Sequence, residues 1–534
     1  YFDLYTDFRR IYRGPDNCGV VSWQEGEKWQ ITVYDAGFQT PECIKGKVFY
    51  QIFPDRFCEG VENKPMPFAD RIYQADKHAE PFWQPNEVGG HLNEDYFGGD
   101  LKGIQQKLPY LHEMGVDFIY LNPIFEAHSN HRYNTADYLN VDPLLGTNED
   151  FEALCTAAKK YGIGIVLDGV FSHTGSDSRY FNREGRYGEG GAYRDPNSPY
   201  RCWYDFGPQY KGGYRSWWGF ETLPEVNEET PSYVEFITGP GGVIDTWLRR
   251  GAAGFRLDVA DELPDEFIEK VRAAVKRVSP EKFLLGEVWE DATTKFGFNK
   301  RRTYLLGKGL DSVMNYPFKN AVLDFVKGKP AEQAMTEILT ICEHYPAPAM
   351  DTALNFLSTH DTERALTVIA DEPANGRGRA WQSGRCVTGD AYEEGLLRLR
   401  MAYAIIYTLP GVPCLYYGDE IAMQGYRDPF NRAFFRWDAH EQRLRPVLAQ
   451  LAQLRHTCEA FRTGQLRVLR AEDGILHYQR VGKVETAEII VNRTEHIIVE
   501  TLASGKSTEV NPMGFTIVVE EVGHNPNHSY YDYV

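Results

Sequence analysis

The sequence predicts an α/β protein built on a (β/α)₈ TIM barrel, with an inserted subdomain after strand 3 and a C-terminal all-β sandwich domain. Three observations predict this fold class. Eight short apolar runs alternate with helical patterns over about 46–440. One connection, about 173–242, is rich in Gly and aromatic residues and too long for a simple loop. From about residue 441 onward, short β-rich runs follow one another, as in an all-β domain.

The eight apolar runs are the predicted barrel strands. Runs that are apolar throughout are typical of strands buried on both faces of a parallel sheet. They are VFYQIF (48–53), DFIYL (117–121), GIVLDGV (164–170), GFRLDV (254–259), KFLLGEV (282–288), SVMNY (312–316), ALNFL (353–357) and PCLYY (413–417).

Helical patterns lie between these strands. Apolar residues recur at helical spacing between Asp100, a candidate N-cap, and Gly115, where the helix is expected to stop. A second such pattern covers 148–162 and ends at Gly162. Strands that alternate with helices in this way favour the closed parallel barrel over an antiparallel sheet.

The two ends of the chain differ from the barrel pattern. The first 45 residues are strand-like but too few for a domain, and we interpret 1–45 as the remnant of an N-terminal β domain and its linker. Residues 441–534 are predicted to begin with a helix at 446–458 and to continue as the β-sandwich.

Charge and cysteine content exclude several classes of function. The formal net charge is −19, which would repel nucleic acid and anionic membranes, and no apolar run approaches the roughly 18 residues of a membrane-spanning helix. The nine Cys are an odd number without Cys-x-x-Cys spacing, so neither a zinc site nor a disulfide framework is expected. This pattern favours the cytoplasm of a bacterial-type cell over secretion.

Three carboxylates follow predicted barrel strands at their carboxyl ends. Asp258 ends GFRLD, Glu287 ends KFLLGE, and Asp361 lies just past NFLSTH. In a barrel these strand ends face one pocket. Glycoside hydrolysis needs an acid and a second carboxylate, and a separation of roughly 5–5.5 Å gives a covalent intermediate with retained configuration. Three carboxylates in this arrangement are suited to the chemistry of glycoside hydrolysis.

The neighbours of two carboxylates suggest different protonation states. Arg256 lies two residues before Asp258, on the same face of the strand, and is expected to keep that carboxyl ionised. Glu287 lies in an apolar strand near Trp289 and is expected to hold a proton. Each group also has a structural explanation, because strand-end Asp residues often cap helices. Five charged or imidazole residues at the strand ends of one barrel favour the catalytic interpretation.

Four segments in order resemble the signature segments of the α-amylase family, glycoside hydrolase family 13. They are DGVFSH (168–173), GFRLDVAD (254–261), GEVWED (286–291) and FLSTHDTE (356–363). The flanking text FYQIFPDRF, YFGGDLKGI and SNHRYNTADY is similar to the neopullulanase, cyclomaltodextrinase and amylopullulanase branches.

The resemblance implies a role for each matching residue. Asp258 would be the nucleophile and Glu287 the general acid/base, while Asp361 would hold the hydroxyls of the distorted sugar. The other matching residues would bind the sugar at the cleavage site or orient these carboxylates. They are Tyr133, Asp168, His173, Arg256, Trp289 and His360. The aromatic pair at 217–218 could be a sugar platform or part of the subdomain core.

Calcium sites of the family are altered here. Ser172 stands where the first signature segment usually carries an Asn that binds calcium in many relatives. A second loop that binds calcium in the neopullulanase branch reads CEGVENKP (58–65), with Val61 at an expected carboxylate. Gly98 and Asp100 remain as candidate calcium ligands, but the departures argue against calcium, and the chemistry requires no cofactor.

The expected function is cleavage of α-1,4-glucosidic bonds in starch, pullulan, maltooligosaccharides or cyclodextrins, with α-1,6 cleavage left open. The alternatives are a transglycosylase on the same substrates and a non-catalytic glucan-binding protein. The partner is thus an α-glucan, with neither nucleic acid nor membrane. The sequence does not decide bond preference, chain-length preference, oligomeric state or the true N-terminus.

Overall fold

Eight parallel strands form the central barrel. The structure, a computed structural model, describes residues 2–3, 10–14, 17–62, 64–85, 93–521 and 529–533. Hydrogen bonding joins the strands in the order β6-β5-β4-β3-β2-β1-β8-β7, and a parallel bridge from Met314 to Leu354 closes the ring. The predicted (β/α)₈ fold is confirmed. The strands are β1 (Phe49–Ile52), β2 (Phe118–Leu121), β3 (Gly164–Gly169), β4 (Gly254–Leu257), β5 (Phe283–Gly286), β6 (Ser312–Val313), β7 (Leu354–Phe356) and β8 (Val412–Tyr416).

The barrel interior is packed with apolar side chains, and a layer of charged side chains lies at the carboxyl ends of the strands. Phe49 and Phe118 stack inside the barrel with ring centroids 5.0 Å apart. Side chains alternate in direction along each strand, so the inward positions of β3 and β4 pass from apolar or small residues to Asp168 and Arg256. These two residues are paired in the register of β3 and β4.

Helices surround the barrel and bury their apolar faces against the outer surface of the strands. The main helices are α1 (Leu101–Gln106), α2 (Leu108–Glu113), α3 (Asn148–Lys160), α4 (Pro231–Thr238), α5 (Val243–Arg249), α6 (Asp265–Val278), α7 (Tyr316–Lys327), α8 (Ala331–His344), α9 (Ala347–Met350), α10 (Ala365–Ala370), α11 (Arg379–Gln382), α12 (Gly389–Thr408), α13 (Leu444–Thr457) and α14 (Ala460–Thr463).

Two elements differ from their predicted form. The single helix expected between Asp100 and Gly115 is two helices, because Pro109 in the first turn of α2 cannot continue the hydrogen-bond ladder of α1. Asp100 is the N-cap of α1, as predicted, and accepts from the backbone N–H of Gly103. The sixth strand ends after two residues because Asn315 caps α7, accepting from the N–H of Phe318.

The connection after β3 is an irregular subdomain with its own aromatic core. Residues 173–230 contain only 3₁₀ turns and isolated bridges, whereas α4 and α5 follow and pack against α6 on the barrel. The irregular part is therefore shorter than the predicted 173–242. Phe181 lies at its centre, with ring centroids 4.8 Å from Tyr204 and 4.6 Å from Tyr214.

The C-terminal domain is a five-stranded antiparallel sheet with a two-stranded layer on it. The sheet order is β9-β10-β11-β14-β15, and Val510 and Leu502 of the smaller layer pack against Ile490 and Val518 of the sheet. The strands are β9 (Gln465–Glu472), β10 (Ile475–Val481), β11 (Glu485–Asn492), β12 (Ile498–Thr501), β13 (Ser507–Val510), β14 (Gly514–Glu521) and β15 (Ser529–Tyr533).

Short strands complete the chain outside these two units. Three of them, Phe2–Asp3, Arg10–Arg13 and Gly19–Ser22, form a small antiparallel sheet near the N-terminus. Much of the predicted strand-like segment at 1–9 lies outside the described residues. The remaining pairs are Ile72–Tyr73 with Asp95–Tyr96, Phe125–Ala127 with Thr135–Val141, and Phe296–Gly297 with Lys300–Arg301. In the described part of the chain, no helix is long and apolar enough to cross a membrane.

Candidate active site

One fully buried guanidinium, that of Arg256, joins three carboxylates at the carboxyl ends of β3, β4 and β5. Its Nη1 donates to Asp168 Oδ1 at 2.7 Å and to Asp258 Oδ1 at 2.8 Å. Its Nη2 lies 2.8 Å from Glu287 Oε2. The structure thus brings together residues that are up to 119 positions apart in the sequence, as the barrel pattern predicted.

Glu287 receives more donors than its apolar strand suggested. Its carboxylate accepts from the backbone N–H of Val259 and from Trp289 Nε1, both at 2.9 Å, besides contacting Arg256. Val259 is in the left-handed region at φ +40°, a costly conformation for a β-branched residue, and this turn aims its N–H at the carboxylate. The strand before Glu287 is apolar and buried, as predicted, and the neighbouring loops add polar donors that the sequence did not indicate.

Burial and mutual repulsion raise the pKa of the carboxyl groups in this pocket. The pKa of Asp258 lies well above its usual range, because burial and the neighbouring acids outweigh the attraction of Arg256. The pKa of Asp361 rises to about 7 for the same reasons, against the pull of Arg432 and Arg256. Arg256 lowers the pKa of Asp258, in the direction that the sequence predicted, but burial and the neighbouring acids act against it. A pocket crowded with carboxylates favours holding a proton, which an acid-catalysed step needs.

A second network joins Tyr133 to His360 on the other side of the pocket. The Tyr133 hydroxyl donates to Asp168 Oδ2 at 2.8 Å and is 2.6 Å from His360 Nε2. Gln51 Nε2 lies 3.0 Å from His360 Nδ1, so Nδ1 accepts and Nε2 carries the proton. The two rings are nearly parallel, with centroids 5.2 Å apart. Burial lowers the pKa of His360 well below its usual range, so its imidazole is neutral.

His173 is held in one orientation by two contacts. Its Nε2 donates to the backbone carbonyl of Tyr133 at 3.1 Å, and its Nδ1 is 2.9 Å from the Ser172 hydroxyl. Because a carbonyl can only accept, Nδ1 is the acceptor of the serine proton. Burial lowers the pKa of His173 to about 4, so it too is neutral at pH 7.

Exposed indoles line the mouth of the pocket. Trp289 is 45% exposed and stacks on Tyr316 with centroids 4.2 Å apart. Trp217 packs against His173 with ring centroids 5.4 Å apart, and its neighbour Trp218 is 77% exposed. The indole N–H groups of both subdomain tryptophans donate to Glu262, at 2.6 and 2.8 Å. This pair therefore faces the pocket and not the subdomain core.

The catalytic-domain family named α-amylase matches residues 51–457, which is most of the chain. The chain belongs to the α-amylase family. Amylopullulanase of Thermoanaerobacter thermohydrosulfuricus is 35% identical in an alignment that covers 90% of this chain and 35% of that protein. Neopullulanase 2 of Thermoactinomyces vulgaris is 32% identical over 487 residues, which cover 88% of this chain and 74% of that protein.

A solved structure of the same family has the same architecture. The ligand-free cyclic α-maltosyl-(1→6)-maltose hydrolase from Arthrobacter globiformis superimposes with a TM-score of 0.76 at 27% identity, covering 90% of this chain and all of that one. The chain spans 35% of the length of the amylopullulanase above, so only part of that larger protein has a counterpart here.

Two further residues of this α-amylase family pocket were not expected from the sequence. Arg432 donates from Nε to the His360 carbonyl at 2.9 Å and lies 3.4 Å from Asp361 Oδ1. Glu262 holds the two indoles at the mouth. Arg432 ends a 3₁₀ turn after β8, and neither an apolar periodicity nor a sequence motif marks this residue in the sequence. Glu262 follows the second signature segment directly, and this position could have been a signal.

The described part of the chain contains no group of three or more His, Cys, Asp or Glu side chains that could hold a metal ion. The Ser172 hydroxyl, at the first altered calcium position, is bonded to the His173 ring. Gly98 and Asp100 lie together, but a lysine ammonium is bonded to both. The residues present do not fit calcium at either position.

Proposed function

We propose that this chain is a retaining glycoside hydrolase that cleaves α-1,4-glucosidic bonds in starch-type glucans. One observation carries the proposal: the buried guanidinium of Arg256 contacts Asp168, Asp258 and Glu287 at once. Asp258 and Glu287, two carboxylates oriented by one guanidinium, are the acid and the nucleophile that this reaction needs, and Asp361 lies in the same pocket.

In the first step Asp258 attacks the anomeric carbon of the bound sugar. Glu287 gives its proton to the glycosidic oxygen, the bond between that oxygen and the anomeric carbon breaks, and a glycosyl ester forms on Asp258. Asp361, beside the neutral His360, is suited to bind hydroxyls of the distorted sugar. Arg256 is a positioning residue in this scheme, because it is fully buried and its guanidinium contacts the acids.

In the second step a water molecule attacks the anomeric carbon of the glycosyl ester. Glu287, now ionised, takes a proton from the water, the ester bond to Asp258 breaks, and the sugar leaves with its configuration retained. The hydrogen bonds from Val259 and Trp289 hold the Glu287 carboxyl in place for both steps.

The relatives support the substrate class. Their names include amylopullulanase, cyclomaltodextrinase and neopullulanase, and one solved relative is a hydrolase in complex with maltose. We therefore propose linear or cyclic α-glucans as substrates, with α-1,6 cleavage an open part of the proposal.

Product analysis tests this proposal. The protein is incubated with soluble starch, pullulan and β-cyclodextrin beside an Asp258→Asn variant that leaves the fold intact. We expect short maltooligosaccharides from the wild type and none from the variant. Panose from pullulan would mean α-1,4 cleavage, and maltotriose would mean α-1,6 cleavage. Wild-type protein that binds starch but releases nothing would refute the hydrolase proposal and favour the non-catalytic alternative.

Transglycosylation is the second candidate, because the exposed Trp218 beside Glu262 offers an acceptor sugar a ring to stack on and a carboxylate to bond. In that reaction a sugar hydroxyl replaces water in the second step. Incubation with maltose at high concentration would then yield products longer than the donor.

A further inference from the structure

Lys64 joins two segments beside the barrel, the loop after β1 and the turn that leads into α1. Its Nζ lies 2.6 Å from Asp100 Oδ2 and donates to the carbonyl of Gly98 at 2.6 Å. The Lys64 side chain is 11% exposed and that of Asp100 is 2% exposed. The pair is therefore a buried contact and not a surface ion pair.

The Asp100 carboxylate is saturated by donors of this protein. Oδ1 accepts from the backbone N–H groups of Gly60 at 3.1 Å and Gly103 at 2.6 Å. Oδ2 accepts from the N–H of Val61 at 2.9 Å in addition to Lys64. Four donors on two oxygens use the lone pairs that a metal ion would need.

Glu59, an acid of the loop after β1, is paired with a different lysine. Glu59 Oε2 lies 2.9 Å from Lys77 Nζ, and its Oε1 accepts from the Tyr73 hydroxyl at 2.7 Å. Lys77 also donates to the carbonyl of Phe97, one residue before Gly98. Glu59 and Asp100 are therefore each paired with an ammonium group, and the charge of these two acids is already balanced.

We propose that the Lys64 ammonium is a built-in cation that closes this loop in the place of calcium. Calcium needs six to eight oxygen ligands. Here the carbonyl of Gly98 and the carboxylate of Asp100 already bind Lys64, whose positive charge repels a second cation. This inference concerns stability alone and does not depend on the proposed enzymatic function.

Thermal unfolding of three proteins tests the inference: wild type, Lys64→Met and Lys102→Met. Methionine keeps the straight apolar stem and removes the charge. Lys102 is the matched control, because it is a half-exposed lysine of α1 whose Nζ lies 3.6 Å from Asp150. We expect Lys64→Met to lower the apparent Tm by about 3 °C or more and Lys102→Met to change it by less than about 1 °C.

Calcium dependence is measured on the same proteins. We expect neither EDTA nor millimolar calcium chloride to shift the wild-type Tm. The inference is overturned if Lys64→Met unfolds together with Lys102→Met. It is also overturned if EDTA lowers the wild-type Tm and an Asp100→Asn variant no longer responds to calcium, because the ion would then occupy this site. The wild-type measurement remains decisive even if Lys64→Met fails to fold.

Discussion

Substitution of Arg256 by lysine is the sharpest test of the proposed mechanism. Lysine at this position keeps the positive charge but replaces the planar guanidinium with a single ammonium group on a shorter side chain. Arg256 contacts Asp168, Asp258 and Glu287 within 2.8 Å, and an ammonium cannot hold all three in the same orientation. Arg256→Lys should therefore misplace at least one of the two reacting carboxyls while leaving the pocket charge unchanged.

The magnitude follows from the strength of each hydrogen bond that the guanidinium makes. A hydrogen bond to a charged group contributes about 1.5–3 kcal/mol, so the loss of one such bond lowers kcat by about 10- to 150-fold. KM should change little, because Arg256 is fully buried and does not reach the sugar. Arg256 also opposes the rise in the pKa of Asp258, so a weaker interaction raises that pKa further. The acidic limb of the kcat/KM profile should move to higher pH, because the nucleophile must be ionised.

The assay is release of reducing sugar from maltooligosaccharides between pH 4 and 9, with the Tm measured in parallel. Arg455→Lys is the matched control, because Arg455 is also buried but donates to the carbonyls of Tyr407 and Gly411, outside the pocket. This control should lower the Tm and leave kcat nearly unchanged. If Arg256→Lys retains wild-type kcat and pH profile, or if both variants lose activity only in proportion to stability, the positioning role is refuted.

Three other variants test separate parts of the pocket. Trp289→Phe keeps the stacked ring but removes the N–H donor to Glu287, and kcat/KM should fall about 10-fold or more; a change below about twofold would contradict this. Asp361→Asn should abolish hydrolysis. Because the folded-state pKa of Asp361 is raised to about 7, ionising it opposes folding, so the Tm of the variant relative to wild type should rise from about pH 4 to about pH 7 and then level off. A pH-independent difference in Tm would refute that assignment. Trp218→Ala should raise KM for long maltooligosaccharides about 2- to 10-fold, because a sugar can no longer stack on the indole, and it should change the Tm by less than about 1 °C. An unchanged KM would show that Trp218 does not contact the substrate.

Much of the barrel could be predicted because its signals are local. Runs such as VFYQIF are typical of strands buried on both faces of a parallel sheet. Seven of the eight barrel strands begin and end within two residues of the predicted limits, and the sixth ends three residues early. Asp100 was recognised as an N-cap because the cap is a contact between near neighbours. The break between α1 and α2 was missed, although Pro109 marks it, because the apolar spacing continues across the break.

The carboxylates that we propose as catalytic could be singled out in the sequence for a geometric reason. The carboxyl ends of parallel strands in a barrel face the same side, so residues at the ends of consecutive strands converge whatever their distance along the chain. Alternation along β4 also places Arg256 and Asp258 on one face, and the observed 2.8 Å contact agrees with it.

The order of residues along the chain thus indicates the barrel strands, the cap at Asp100 and the candidate reacting groups, because apolar runs, side-chain alternation and capping are local features of the sequence. Only the tertiary structure decides the electrostatic environment of the pocket. The N–H of Val259, the indole of Trp289 and the guanidinium of Arg432 reach the acids through loop conformations that no periodicity specifies. The same holds for Lys64, whose contact with Asp100 joins segments 36 residues apart. Charge balance in a buried site depends on every neighbour in space, and those neighbours are known only once the chain has folded.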